Sequence, residues 1–262
     1  METPLKLRRL RTSDRVYVLT IAVTVGLTAF LAMEPAQTWL LLLVVGLAAF
    51  GVDGIVRSHP AASFQSVADS APYLFLPVLY VLGLGLFFQY TATGYWTVLA
   101  GLGAGAGFGL IARSQAVCVD ETDAGYGLAR FILNILTYLT TFAFFAVIYS
   151  FDIDLLPSAA AVGLVTLLMA VEVLRESDAD AGKTLAYGIA IGIVLAEARW
   201  ALHFLPLDGF LAAVFLLLAF YLVTGLFHGH LTGQLTKGTA FEFCLVTLIG
   251  TAMVAAAHLL LE

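Results

Sequence analysis

The ionisable side chains of this sequence that are spaced for chemistry are concentrated in its last third. Glu197, Arg199 and His203 end one apolar segment, and His258 lies near the end of another. Charged groups within apolar segments are costly and by default suggest function. Glu197 and Arg199 are two positions apart and point to nearly opposite sides of a helix, whereas Arg199 and His203 share a face. These four residues are the first candidate site.

Each member of this site also has a structural interpretation. Arg199, beside Trp200, is typical of a side chain that extends to lipid headgroups. Glu197 is either a structural hydrogen-bond partner or part of a functional site. His203 and His258 are expected at the same side of the membrane, where two facing imidazoles would ligate a haem or a chlorin. Interfacial histidines are more often amphipathic fillers, so no cofactor is assigned.

A second group of polar residues is expected near the opposite, inner side. His228 and His230 end an apolar segment, and Glu242 begins the next at a similar depth. Two imidazoles and a carboxylate suit a metal ion if they converge. Asn134, inside an earlier segment, would join Glu197 and Glu242 along the path of a small-molecule or ion transporter. Its plainer role is a hydrogen bond between helices.

Glycines recur every fourth residue at Gly101, Gly105 and Gly109. On a helix these positions line one face, where missing side chains let a neighbouring backbone approach closely. A phosphate-binding loop is the sharper alternative, but no lysine is adjacent. The spacing therefore predicts a helix-packing face.

The elements that hold these residues follow from composition. Apolar residues make up 61% of the chain and charged residues 11%, whereas soluble domains are about half apolar and a quarter charged. Because a folded chain of this size could not bury so much apolar surface, the lipid bilayer must be its main partner. Backbone groups in lipid are satisfied within helices, and runs that are apolar all round exclude the alternation of barrel strands.

The chain is therefore predicted to be an all-α, polytopic bundle of transmembrane helices with about nine spans. Residues 1–262 are expected to form a single integral membrane domain without an extramembrane domain. The predicted spans are Val16–Met33, Trp39–Ile55, Pro72–Tyr90, Tyr95–Ala112, Tyr126–Ser150, Pro157–Leu174, Thr184–Phe204, Leu207–Phe227 and Ala240–Leu260.

Basic residues test the count and give the orientation. With nine spans and a cytoplasmic N-terminus, eleven of the twelve basic residues face inward and only Arg199 lies near the outer surface. This distribution obeys the positive-inside rule, whereas the inverted topology violates it. The eleven are Lys6, Arg8, Arg9, Arg11, Arg15, Arg57, Arg113, Arg130, Arg175, Lys183 and Lys237.

Composition and motifs exclude several function classes. The net charge of −6 provides no basic field for nucleic acid. The two cysteines, Cys118 and Cys244, give neither a metal spacing nor a disulfide framework. Ser-His-Asp order, a metalloprotease helix motif and a Walker loop are all missing, so the sequence favours a protein without enzymatic activity but leaves that question open.

Two segments resemble an uncharacterised bacterial family of polytopic membrane proteins. They are Asp53-Gly54-Ile55-Val56-Arg57-Ser58-His59-Pro60 and the segment from Glu197 to Pro206. The resemblance implies a prokaryotic cytoplasmic (inner) membrane protein and carries no activity. We expect a non-enzymatic subunit or accessory protein of a membrane complex, which contacts other membrane proteins. A transporter and a haem- or metal-binding redox protein are the alternatives.

Overall fold

The regular structure of this protein is helical. A computed structural model describes residues 4–62, 64, 66–151, 153–175, 180–205 and 207–261, and these contain ten helices and no strand. The helices are α1 (Pro4–Ala32), α2 (Thr38–Arg57), α3 (Val67–Ser70), α4 (Pro72–Thr91), α5 (Tyr95–Val117), α6 (Tyr126–Ser150), α7 (Leu155–Leu174), α8 (Ala181–Leu202), α9 (Gly209–Leu231) and α10 (Lys237–Leu261).

Nine of the ten helices in the described ranges are long and apolar enough to cross a membrane; the short α3 is the exception. The all-helical class and the nine predicted spans are confirmed. Most ends differ from the prediction by a few residues: α5 continues past Ala112 to Val117, whereas α8 ends at Leu202, before the predicted Phe204. The largest difference is at α1, which begins at Pro4 and so carries the N-terminal basic cluster on helical backbone. The helix α3 was not predicted.

The chain divides into two compact units, Met1–Thr137 and Tyr138–Glu262, and the boundary falls within α6. In the first unit α1 packs against α2 and α5, and α2 packs against α4. In the second unit α7 packs against α8, and α9 contacts α7, α8 and α10. Both units consist of candidate membrane spans, and the single domain expected over residues 1–262 stays a prediction.

The glycine face of α5 packs against a threonine face of α1 in the first unit. Threonines at 20, 24 and 28 also recur every fourth residue, and they meet Gly109, Gly105 and Gly101 in that order, so the two helices run antiparallel. Thr20 and Thr24 donate their hydroxyls to backbone carbonyls one turn earlier at 2.7 Å, which satisfies these groups without water. The glycines thus let the two helices approach closely, as small residues do in membrane bundles.

The second unit has a comparable close approach between α7 and α8. A Cβ built on Gly192 would lie 2.7 Å from the backbone oxygen of Gly163, and one on Gly163 would lie 3.1 Å from the oxygen of Gly192. One turn away, a Cβ on Gly188 would lie 2.9 Å from Val171. Backbone meets backbone at Gly163 and Gly192, whereas the contact at Gly188 is to a side-chain methyl of Val171. This contact was not predicted, although Gly188 and Gly192 have the same four-residue spacing.

Replacing Gly101 with Ala should destabilise the first unit. The new methyl would lie 2.8 Å from the Cα of Thr28, which cannot rotate away, and overpacking of this kind costs about 1–3 kcal/mol. Gly103→Ala is the matched control, because nothing lies within 4 Å of its Cβ position. Unfolding in mixed detergent micelles, followed by circular dichroism, measures both. Equal stability of the two variants would show that α1 and α5 do not pack as described.

Candidate functional site

Arg199 is buried in the second unit and packs on an aromatic ring. Its side chain is 6% exposed, and its guanidinium carbon lies 4.2 Å from the ring centre of Tyr149, near the end of α6. Within the described residues, the Nε and Nη1 atoms of Arg199 are buried without a hydrogen-bond partner. The ring face, which is electronegative, therefore stabilises this cation. The guanidinium is thus buried within the unit, and its extension to headgroups stays a prediction.

Glu197 lies on the other side of α8. It is exposed, and the residues around it on the same surface are large and apolar: Ile193, Val194 and Trp200 are all exposed as well. In the part of the chain that the structure describes, no ion pair joins Glu197 to Arg199, as their spacing predicts. At 1.5 Å per residue, Glu197 is about 7.5 Å from the end of α8 at Leu202. The carboxylate thus lies on the exposed side of α8, within a candidate membrane span.

The two histidines of the first candidate site lie on different helices. His203 follows the last residue of α8, is exposed, and contacts the ring of Phe204 edge to face at 5.5 Å. His258 is in the last turn of α10. The described residues show no ring contact or hydrogen bond between His203 and His258. Their role as a haem or chlorin ligand pair stays a prediction.

The three residues of the inner-side cluster do not form a three-ligand site. His228 and His230 are in the last turn of α9, and Glu242 is exposed near the start of α10. The His230 ring instead faces Tyr187 of α8, with ring centres 6.3 Å apart. Among the residues that the structure describes, no three or more His, Cys, Asp or Glu side chains are grouped to hold a metal ion.

Asn134 is half-buried in α6, in the first unit, whereas Glu197 and Glu242 belong to the second. A transport path through these three residues stays a prediction.

A closed polar network of described residues lies at the end of α2 in the first unit, and it was not predicted. Arg57 donates from Nε to both carboxylate oxygens of Asp53, at 2.8 and 2.9 Å. Its Nη2 donates to the Ser70 hydroxyl at 2.8 Å and to the Ser66 carbonyl at 2.9 Å. Ser70 in turn donates to Asp53 at 2.7 Å. The closed network fastens α3 and the preceding loop to α2.

The spacing of Asp53 and Arg57 is sufficient to predict their ion pair, because residues four positions apart lie on one helix face. No comparable pattern in the sequence marks Ser66 or Ser70, which meet Arg57 only through tertiary structure. Both Asp53 and Arg57 belong to the first segment that resembles the uncharacterised family. The motif therefore has a structural role in the α2–α4 connection.

The same connection borders a cavity of about 420 Å³ in the first unit. It lies between residues 13–20 of α1, the second half of α5 and the two loops that follow α2 and α5. We name it the Arg113 pocket, after the cation in its wall; other wall residues are Tyr17, His59, Leu110 and Asp123. No pattern in the sequence indicated that these positions meet, since they come from four separate segments.

Tyr149→Ala should destabilise the second unit, because it removes the ring under a buried cation and leaves a gap. The combined loss is about 2–4 kcal/mol. Tyr149→Phe is the control, since it keeps the ring under the guanidinium and removes only the hydroxyl. Its effect should stay below about 1 kcal/mol. Chemical unfolding in detergent micelles compares the two, and similar losses would contradict the stacking of Arg199 on Tyr149.

A family model described as "Protein of unknown function (DUF5656)" matches residues 19–257. No curated protein and no solved structure matches the chain. The family match covers most of the spans and both segments on which the resemblance rested, so the expected membership of an uncharacterised family is confirmed. With its nine apolar helices, the chain is a multi-pass integral membrane protein, and it belongs to the DUF5656 family of proteins of unknown function.

Proposed function

We propose that this protein is a non-enzymatic subunit or accessory protein of a membrane complex. It binds another membrane protein through the exposed side of α8, which carries Glu197. The observation that carries the proposal is the exposed position of Glu197 within a membrane span. We further propose that the membrane is the cytoplasmic membrane of a prokaryote, with the N-terminus in the cytoplasm. The distribution of basic residues supports this orientation.

A carboxylate on a surface that faces hydrocarbon is unfavourable. Insertion of an acidic side chain at the centre of a span costs about 2.5–3.5 kcal/mol, and less towards the ends. Glu197 is about 7.5 Å from the end of α8, so part of this cost remains. A basic or hydrogen-bond-donating group on a neighbouring protein would remove it.

The surroundings of Glu197 suit such a contact. Ile193 and Val194 lie about one turn before it and Trp200 about one turn after it, and all three are exposed. A partner helix on this surface would bury apolar side chains on both sides of one polar pair. Aromatic residues beside a central anchor are typical of the positions that dominate binding energy at protein interfaces.

Glu197→Gln should release the partner. The protein would be purified from native membranes in mild detergent, and the stoichiometry of co-purifying proteins would be measured by quantitative mass spectrometry. We expect one partner at a fixed ratio with the wild type and at least about tenfold less with Glu197→Gln, since truncating one member of a desolvated charge pair costs about 2–5 kcal/mol.

Glu34→Gln is the matched control, because Glu34 is an exposed acid in the loop between α1 and α2. It should retain the partner at the wild-type ratio. Purification of the wild type alone, under conditions that keep it folded, would contradict the proposed role. Equal recovery with Glu197→Gln and the wild type would contradict the proposed interface.

A further inference from the structure

The Arg113 pocket has a polar end and an apolar wall. Arg113, His59 and Tyr17 lie at the end of the spans where α1 enters the membrane and α5 leaves it. Ala106 and Leu110 extend the wall along α5, away from this end. From Arg113 to Ala106 the wall is about 10 Å long, at 1.5 Å per residue. The cavity thus changes from charged to apolar along the direction of the spans.

Arg113 is available to a ligand. It is exposed, and the described part of the chain gives it neither a hydrogen bond nor an ion pair. Asp123, which also borders the pocket, accepts the backbone N–H of Gly125 at 2.9 Å. A guanidinium presents its donors in a planar fork that matches the oxygens of a phosphate or a carboxylate. Arg113 therefore gives the polar end one anion-binding group, in the same wall as the carboxylate of Asp123.

The opposite wall is held by the Arg57 network. That network includes Arg57, the last residue of α2. His59 and Pro60 follow it in the chain and line the pocket. The Nδ1 atom of His59 accepts the N–H of Ala61 at 3.3 Å. His59 thus borders the polar end of the pocket close to the end of α2.

We propose that the Arg113 pocket binds an anionic membrane lipid, with its phosphate at Arg113 and the start of an acyl chain along Leu110 and Ala106. The volume of about 420 Å³ lies within the range of ligand pockets in proteins, about 300–1,000 Å³. The rest of the chain stays in the bilayer, to which the pocket is adjacent. Under the proposed orientation this is a lipid of the cytoplasmic leaflet, which attracts basic residues near its surface.

Binding would be measured by native mass spectrometry of the purified full chain, titrated separately with phosphatidylglycerol, phosphatidylcholine and inorganic phosphate. We expect the anionic lipid to bind and the zwitterionic lipid to bind at least about tenfold more weakly. Arg113→Gln should weaken binding of phosphatidylglycerol about tenfold, the effect of losing one charge-assisted hydrogen-bonding group. Lys183→Gln, which removes an exposed cation of the second unit, should change it by less than about twofold.

Ala106→Phe separates a lipid from a free anion. Ala106 is an exposed residue of the apolar wall, so a bulky ring there should obstruct the acyl chain and weaken lipid binding about tenfold. Circular dichroism of each variant checks that it is folded. Equal binding of both lipids, or wild-type binding by Arg113→Gln, would overturn the proposal. So would inorganic phosphate that binds as tightly as the lipid and is unaffected by Ala106→Phe.

Discussion

Most of the surface of this protein is stable only in contact with hydrocarbon. Large apolar side chains are exposed along the spans, with Phe50 83% and Leu260 85% accessible. No water is available there to satisfy peptide groups, so each segment must form its own hydrogen bonds. Helices follow from that requirement, and the short connections follow because irregular backbone is restricted to the ends of spans. Polar side chains are tolerated only where another group, or the membrane surface, satisfies them.

The hydrocarbon of the bilayer also changes which interactions stabilise the contacts between helices. Lipid tails are as apolar as leucine, so burial of apolar side chains provides little force for association within the bilayer. Close packing and satisfied polar groups must provide it. Gly101, Gly105 and Gly109 against the threonines of α1, and Gly163 against Gly192, serve this purpose in the two units. Arg57 with Asp53 fastens a connection at the membrane boundary, where such a pair can be hydrated when it forms.

The sequence predicted what depends on one segment at a time. Hydropathy gave the nine spans, and the four-residue spacing of the α5 glycines gave the face that packs. These patterns could not predict which residues of different helices and loops contact one another. Arg199 and Tyr149 are fifty positions apart and meet through tertiary packing. The wall of the Arg113 pocket comes from four segments. The late histidines were grouped by shared depth, which does not determine whether side chains on different helices converge.

Polar groups that the fold does not satisfy are the natural candidates for function in this protein. Glu197 and Arg113 are such groups. Glu197 lies on the exposed side of α8, and Arg113 lines a pocket near the end of α5. Both interpretations depend on where the membrane lies. The two proposals require that the connections between successive spans alternate between the two faces of the membrane. They also require that the span ends that carry Lys and Arg lie at the same face.

Cysteine accessibility measures this directly. In a variant without Cys118 and Cys244, single cysteines would replace Thr93, Thr122 and Asp180, which lie in the connections α4–α5, α5–α6 and α7–α8. A membrane-impermeant maleimide applied to intact cells should label position 93 and leave 122 and 180 unlabelled, and inverted vesicles should show the reverse. Labelling of 93 and 122 from the same side, or of 122 and 180 from different sides, would contradict the account.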